Sequence, residues 1–177
     1  MPSKMIVISI LVLIILVAVP AVLYQKYWSF SALLHESGFT ESDIVDRDAY
    51  AYGDAMIHVL LLANEHELGI VATVRSNWGK WSRIGSSKSD LYAEGNLATF
   101  GFSNMHGWGE DAFVDKHVFV AVPLQDNQPI HVREAPFELS IQYLGAGEHT
   151  ILYAHAVAGG EFASFGSHDV LPYLELP

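Results

Sequence analysis

Met5 to Tyr24 is a run of twenty residues in which only Ser9 is polar and only Pro20 interrupts. A helix needs about 20 apolar residues to cross about 30 Å of hydrocarbon. A segment apolar on every face has no solvent side and is not a surface helix of a soluble domain. Met5, Leu13 and Leu16 lie along the predicted span, and Tyr24 and Trp28 at its end read as an interfacial aromatic anchor. Lys4 and the terminal amine precede the run and Lys26 follows it, which favours the N-terminus inside and the remaining chain outside. Two competing readings stand beside this signal-anchor. Val19-Pro20-Ala21 has the small residues of a signal-peptide cleavage site, although the apolar run exceeds the usual 7–15 residues. A reversed helix would leave the domain in the cytoplasm.

The span divides the chain into a transmembrane anchor over 1–28, a juxtamembrane helix or linker over 29–43, and a domain over 44–177. About 150 residues beyond the anchor suffice for one domain with a real core. Of nine basic residues, Lys4 and Lys26 flank the span. Seven therefore remain against 20 acidic ones, a formal charge of −13 for the domain. Such a domain repels nucleic acid and anionic headgroups, so nucleic acid is excluded as a partner. The membrane, through the helix, and another envelope protein or a small ligand are the expected partners. The absence of cysteine removes disulfides, thiolate metal sites and cysteine nucleophiles.

Phe30, Leu33 and Leu34 recur at helical spacing before Gly38, predicting a short helix over 29–37. From Ile44 onward the pattern is β. Ile44–Tyr52, Ala55–Ala63, Gly69–Arg75 and Lys80–Ile84 are joined by short turns and predict a four-stranded meander. The run Ala55–Ala63 is nearly all apolar, as in a strand buried on both faces. Residues 85–96 read as a loop. Further strands are predicted over 97–103, 116–122 and 129–133, the last two as a hairpin. Leu139–Leu144 and Thr150–Val157 flank Gly145-Ala146-Gly147 as another hairpin, and Val170–Leu176 as an edge strand with Pro172. Nine or ten short strands with almost no helix predict a mainly β domain, an antiparallel sheet or sandwich.

Nine histidines offer metal or acid–base chemistry. His117 and His131 would face each other across the predicted hairpin, and His106 with Glu110 and Asp111 forms a second candidate metal set. His149 and His155, six residues apart and about 20 Å along a strand, cannot share an ion. Neither HxH nor HExxH occurs, and no cofactor is expected. An acidic surface tends to raise histidine pKa values, which offers a pH-responsive domain as one reading beside the plainer one, that an acidic domain simply contains histidines. Trp78, Trp81 and Trp108 at predicted turns are candidate platforms for a sugar ring or peptide, or tryptophans folded back over the end of the sheet. No GxSxG, SxxK or phosphate loop is present. These features predict a tethered non-enzymatic binding or interaction module. A cell-envelope hydrolase or metal-dependent enzyme built on histidine and carboxylate side chains is the alternative.

The order Glu36-Ser37-Gly38-Phe39, the Gly53 hairpin into an apolar strand, Gly79-Lys80-Trp81, and His117–Val122 followed by Ile130-His131-Val132 resembles a group of small membrane-anchored proteins of Gram-positive bacteria. That group often has Tyr-Gly where this chain has Phe119-Val120. The resemblance implies an anchored domain and carries no activity.

Overall fold

The computed structural model describes residues 2–91, 96–106, 113–124, 130–160 and 164–175. Helix α1 (Pro2–Tyr27) contains a stretch, Ile8–Tyr27, long and apolar enough to cross a membrane, with none of it buried against the rest of the chain. Ser29 then ends the helical run and caps α2 (Phe30–Glu36) through a 3.1 Å bond from the Ala32 amide to its hydroxyl. Gly38, with φ of 81°, turns the chain after α2, a conformation that favours glycine.

The first sheet is the predicted meander: β1 (Ile44–Tyr52), β2 (Ala55–Ala63), β3 (Glu67–Arg75) and β4 (Trp81–Asp90), in that spatial order. β4 runs six residues further than the sequence pattern implies and takes up half of the predicted loop. Its Gly- and Ser-rich stretch is held by continuous pairing with β3 up to Glu67–Asp90. Small residues are needed there because the second sheet crosses close by. A side chain at Gly85 would collide with the Phe100 ring, and the Ser87 hydroxyl accepts from the Thr99 amide at 3.1 Å.

The second sheet is built from β5 (Ala98–His106), β6 (Phe113–Leu124), β8 (Glu138–Ala146) and β9 (His149–Ala158), in the order β5-β6-β9-β8. β8 and β9 form the expected hairpin. β7 (His131–Val132), in contrast, does not pair with β6; it pairs with the C-terminal β10 (Leu174–Glu175), and β9 takes the place beside β6. The predicted C-terminal edge strand is instead a helical turn, α3 (Ser167–Val170), followed by a 3-10 turn and the two residues of β10. β5 touches β4 at Thr99 and reaches β1 at Asn104, whose Nδ2 donates to the Ala51 carbonyl at 2.8 Å. It therefore crosses the first sheet from one edge to the other, and the sheets pack steeply rather than strand along strand.

Three apolar layers follow. Ile57, Val59, Leu61, Ile70, Phe119 and Tyr153 meet between the sheets. Leu60, Leu62 and Val71, on the outer face of the first sheet, are covered by Leu33 and Leu34 of α2 and by Phe39. Val120, Leu152 and Ala154, on the outer face of the second, are covered by Val170 and Leu174. Both sheets are thus buried on both faces, which is why β2 has no alternating polar residues.

Candidate functional site

The bulge at Val45 sets the register of β1 so that Asp46, Asp48 and Tyr50 all point between the sheets. β6 and β9 deliver His117 and His155 to the same place. They are diagonal neighbours, since Phe119 pairs with His155 and His117 with Val157. The His117 Nδ1 and His155 Nε2 atoms are 3.1 Å apart, and His155 Nδ1 is 3.3 Å from the Tyr50 hydroxyl. The Tyr50 hydroxyl is in turn hydrogen-bonded to Asp48. Aromatic rings wall the group. Phe119 stacks on His155 with centroids 4.4 Å apart, and Phe102 stacks on His117 at 4.7 Å.

With the Tyr50 hydroxyl directed at Asp48, one set of tautomers fits the His155–Tyr50 and His117–His155 contacts. The Tyr50 hydroxyl proton is committed to the Asp48 carboxylate, so the hydroxyl oxygen accepts from His155 Nδ1–H. His155 Nε2 then carries a lone pair and accepts from His117 Nδ1–H. The result is a directed chain from His117 through His155 and Tyr50 to Asp48. Burial, and then the neighbouring His117, hold His155 down to about 4, so it is neutral at physiological pH. Burial also pushes the Tyr50 phenol well above its ordinary value, helped by the Asp48 carboxylate. Asp48 is raised by burial and by Asp46, against the opposing bond from Tyr50.

A second polar group lies on the outer face of the first sheet. Trp81 packs on Phe30 at 4.9 Å and on His58 at 5.3 Å, and the Arg47 and Arg75 guanidinium groups stand over its ring at 5.7 and 5.9 Å. Arg47 Nη2 donates to His58 Nδ1 at 3.3 Å, so His58 carries its own proton on Nε2. Burial and then Arg47 lower the His58 pKa. The acidic surface thus fails to raise His58 and His155, because both are shaped by burial and by cationic or histidine neighbours rather than by the net charge.

The residues singled out in the sequence are dispersed by the fold. His117 faces the inter-sheet layer, whereas His131 lies exposed on the β7–β10 ribbon beyond the second sheet. His106 ends β5, while Glu110, Asp111 and Trp108 lie outside the described residues. Among the described residues no three His, Asp or Glu side chains are grouped to hold a metal ion. Trp81 is half-buried beneath the arginines, and Trp78 at the β3–β4 turn is 91% exposed. Leu13 and Leu16 face outward along α1. Sequence reasoning missed Tyr50, Asp48 and His155 because their meeting depends on β9 lying beside β6, a pairing between strands separated by β7 and β8.

No protein family, curated protein or solved structure matches this chain.

Proposed function

We propose that this chain is a single-pass membrane protein whose sandwich domain is a non-enzymatic binding or interaction module on the extracytoplasmic side. The observation that carries the reading is the uncovered span. The twenty-residue stretch Ile8–Tyr27 of α1 buries none of its apolar surface against the domain, while the domain closes its own three apolar layers without it. An apolar helix of that length finds its missing partner in a bilayer. The flanking charges favour the domain outside.

Because the chain has no cysteine, single cysteines introduced at Glu148 and at Lys4 report sidedness directly. In sealed cells an impermeant maleimide labels position 148 and spares position 4; the opposite pattern rejects the extracytoplasmic reading. Purification in mild detergent should bring down a stoichiometric partner. A monodisperse monomer with no bound molecule counts against an interaction module.

The chain from His117 to Asp48 favours a second reading, an envelope enzyme using acid–base chemistry. It supplies a directed proton path but neither a nucleophile nor a metal set among the described residues. A stoichiometric ion in untagged protein would favour this reading over the first.

A further inference from the structure

The domain is acidic in net charge, but its basic residues are not evenly spread over it. Arg47, Arg75, Lys80 and Arg83, four of the domain's seven basic residues, gather around Trp81, and Lys26 at the end of α1 joins them. Lys26, Lys80 and Arg83 line a groove of about 600 Å³ between the end of α1, α2 and β4. Glu36 also lines it and pairs with Arg83 at 3.7 Å, and Asp54 lies on the β1–β2 turn at the same end of the sheet.

This basic group is fixed at the level of the membrane boundary. The Tyr24 hydroxyl, in the last turn of the span, donates to the Gly79 carbonyl at 3.2 Å, and the Trp81 amide donates to the Trp28 carbonyl at 3.1 Å. The β3–β4 turn is itself closed by Ser76 N to Lys80 O at 2.9 Å and by Gly79 at φ of 82°. Trp78 stands almost fully exposed at its tip. A tryptophan beside the end of a spanning helix, ringed by Lys and Arg, has the amphipathic character of an interfacial anchor.

We propose that the β3–β4 turn docks on the bilayer, with Trp78 among the headgroups and the groove of Lys26, Lys80 and Arg83 holding the phosphate of an anionic lipid. The inference rests on α1 spanning the membrane. The docked geometry lays the basic end of the first sheet against the surface and turns the acidic remainder of the domain away from it.

The test uses the full chain in vesicles of zwitterionic lipid alone or with an anionic phospholipid. A nitroxide on Asn77→Cys reports docking, and one on Glu148→Cys, at the opposite end of the sheets, is the control. Resistance of the protein to alkaline extraction tests the span separately, so loss of docking and loss of anchoring are distinguishable. The expected result is a label at 77 shielded from a water-soluble relaxing agent and reached by oxygen, most strongly with anionic lipid, while 148 stays in water. Lys80→Gln with Arg83→Gln should shift the docked equilibrium about 25-fold toward release, at about fivefold per charge. Trp78→Ser should release the turn without affecting extraction resistance. A label at 77 as water-accessible as that at 148, in extraction-resistant protein, overturns the proposal. Release by millimolar inorganic phosphate but not by chloride of equal ionic strength would identify a free-anion site and overturn it too.

Discussion

The two sheets have the same strand count and the same double burial, and both hold a histidine below its ordinary pKa, but they place it among different neighbours. On the outer face of the first sheet, His58 sits with Arg47 and Arg75 over Trp81, and the charges stay on groups that reach water. Between the sheets, His155 lies in a wall of aromatic rings beside His117 and is kept neutral. Net charge governs neither site. Local burial sets the cost of a charge, and each site meets that cost by exposure or by neutrality.

The covers of the two sheets offer the strongest way to break this comparison. Phe39 is fully buried over the first sheet and joins α2 to it. Phe39→Ala should cost about 3–5 kcal/mol, read as a lowered denaturation midpoint of the protein in detergent. It should leave the inter-sheet histidines unchanged by NMR. Collapse of both regions together would show that the two are one cooperative unit rather than separable layers. Gly69→Ala attacks the same contact from beneath. Its new Cβ would lie 2.8 Å from the Phe39 ring, which has no room to retreat. A loss of about 1–3 kcal/mol is expected, smaller than deletion of the ring because the contact is strained rather than lost.

The first sheet was legible because its contacts are local. Turn residues at Gly53-Asp54 and Asn77-Trp78-Gly79 announce hairpins, and the apolar run 55–63 announces a buried strand. The second sheet was legible only in part. The β8–β9 hairpin carries its own turn signal, but nothing local tells β6 to choose β9 over β7. The candidate site inherits that gap. His117 was singled out with the wrong partner, since His131 is near in sequence and His155 is near in space. Extension of β4 through Gly85 and Ser87 was hidden for a related reason: those residues serve the crossing of β5, a contact visible only in three dimensions.

The lowered histidine pKa values give the fold a pH dependence. His155 has a folded pKa near 4, below its unfolded value of 6.5. As pH falls below 6.5 the unfolded chain takes up the proton first, so stability declines until about pH 4 and is flat above 6.5. His58 shifts the same way, and Asp48, raised in the fold, acts in the opposite sense. At a half-buried site, solvent screening holds the His155 contribution to about 1–2 kcal/mol. His155→Phe keeps the stack on Phe119 and removes the titration. Chemical denaturation at pH 7 and pH 5 should then show a smaller loss than in the unaltered protein. An equal loss in both would assign the acid sensitivity to other groups.

The smallest effect is expected where a charged pair looks best in distance alone. Arg133 Nη2 lies 2.6 Å from Glu175 Oε1 across the β7–β10 ribbon. Both side chains are largely in water, at 65% and 42% exposure. Exposed pairs return little, because the attraction is screened and two long side chains lose freedom to make it. The ribbon is also held by the Arg133 amide donating to the Tyr173 carbonyl at 3.0 Å and by Leu174 in the apolar layer beneath. Arg133→Ala keeps both of those and should cost less than about 1 kcal/mol, with the difference shrinking further in high salt. Leu174→Ala, which leaves the ion pair intact, should cost about 2–5 kcal/mol. Reversal of that order would mean that the cover of the second sheet is held by charge, as the basic end of the first sheet is proposed to be held to the bilayer.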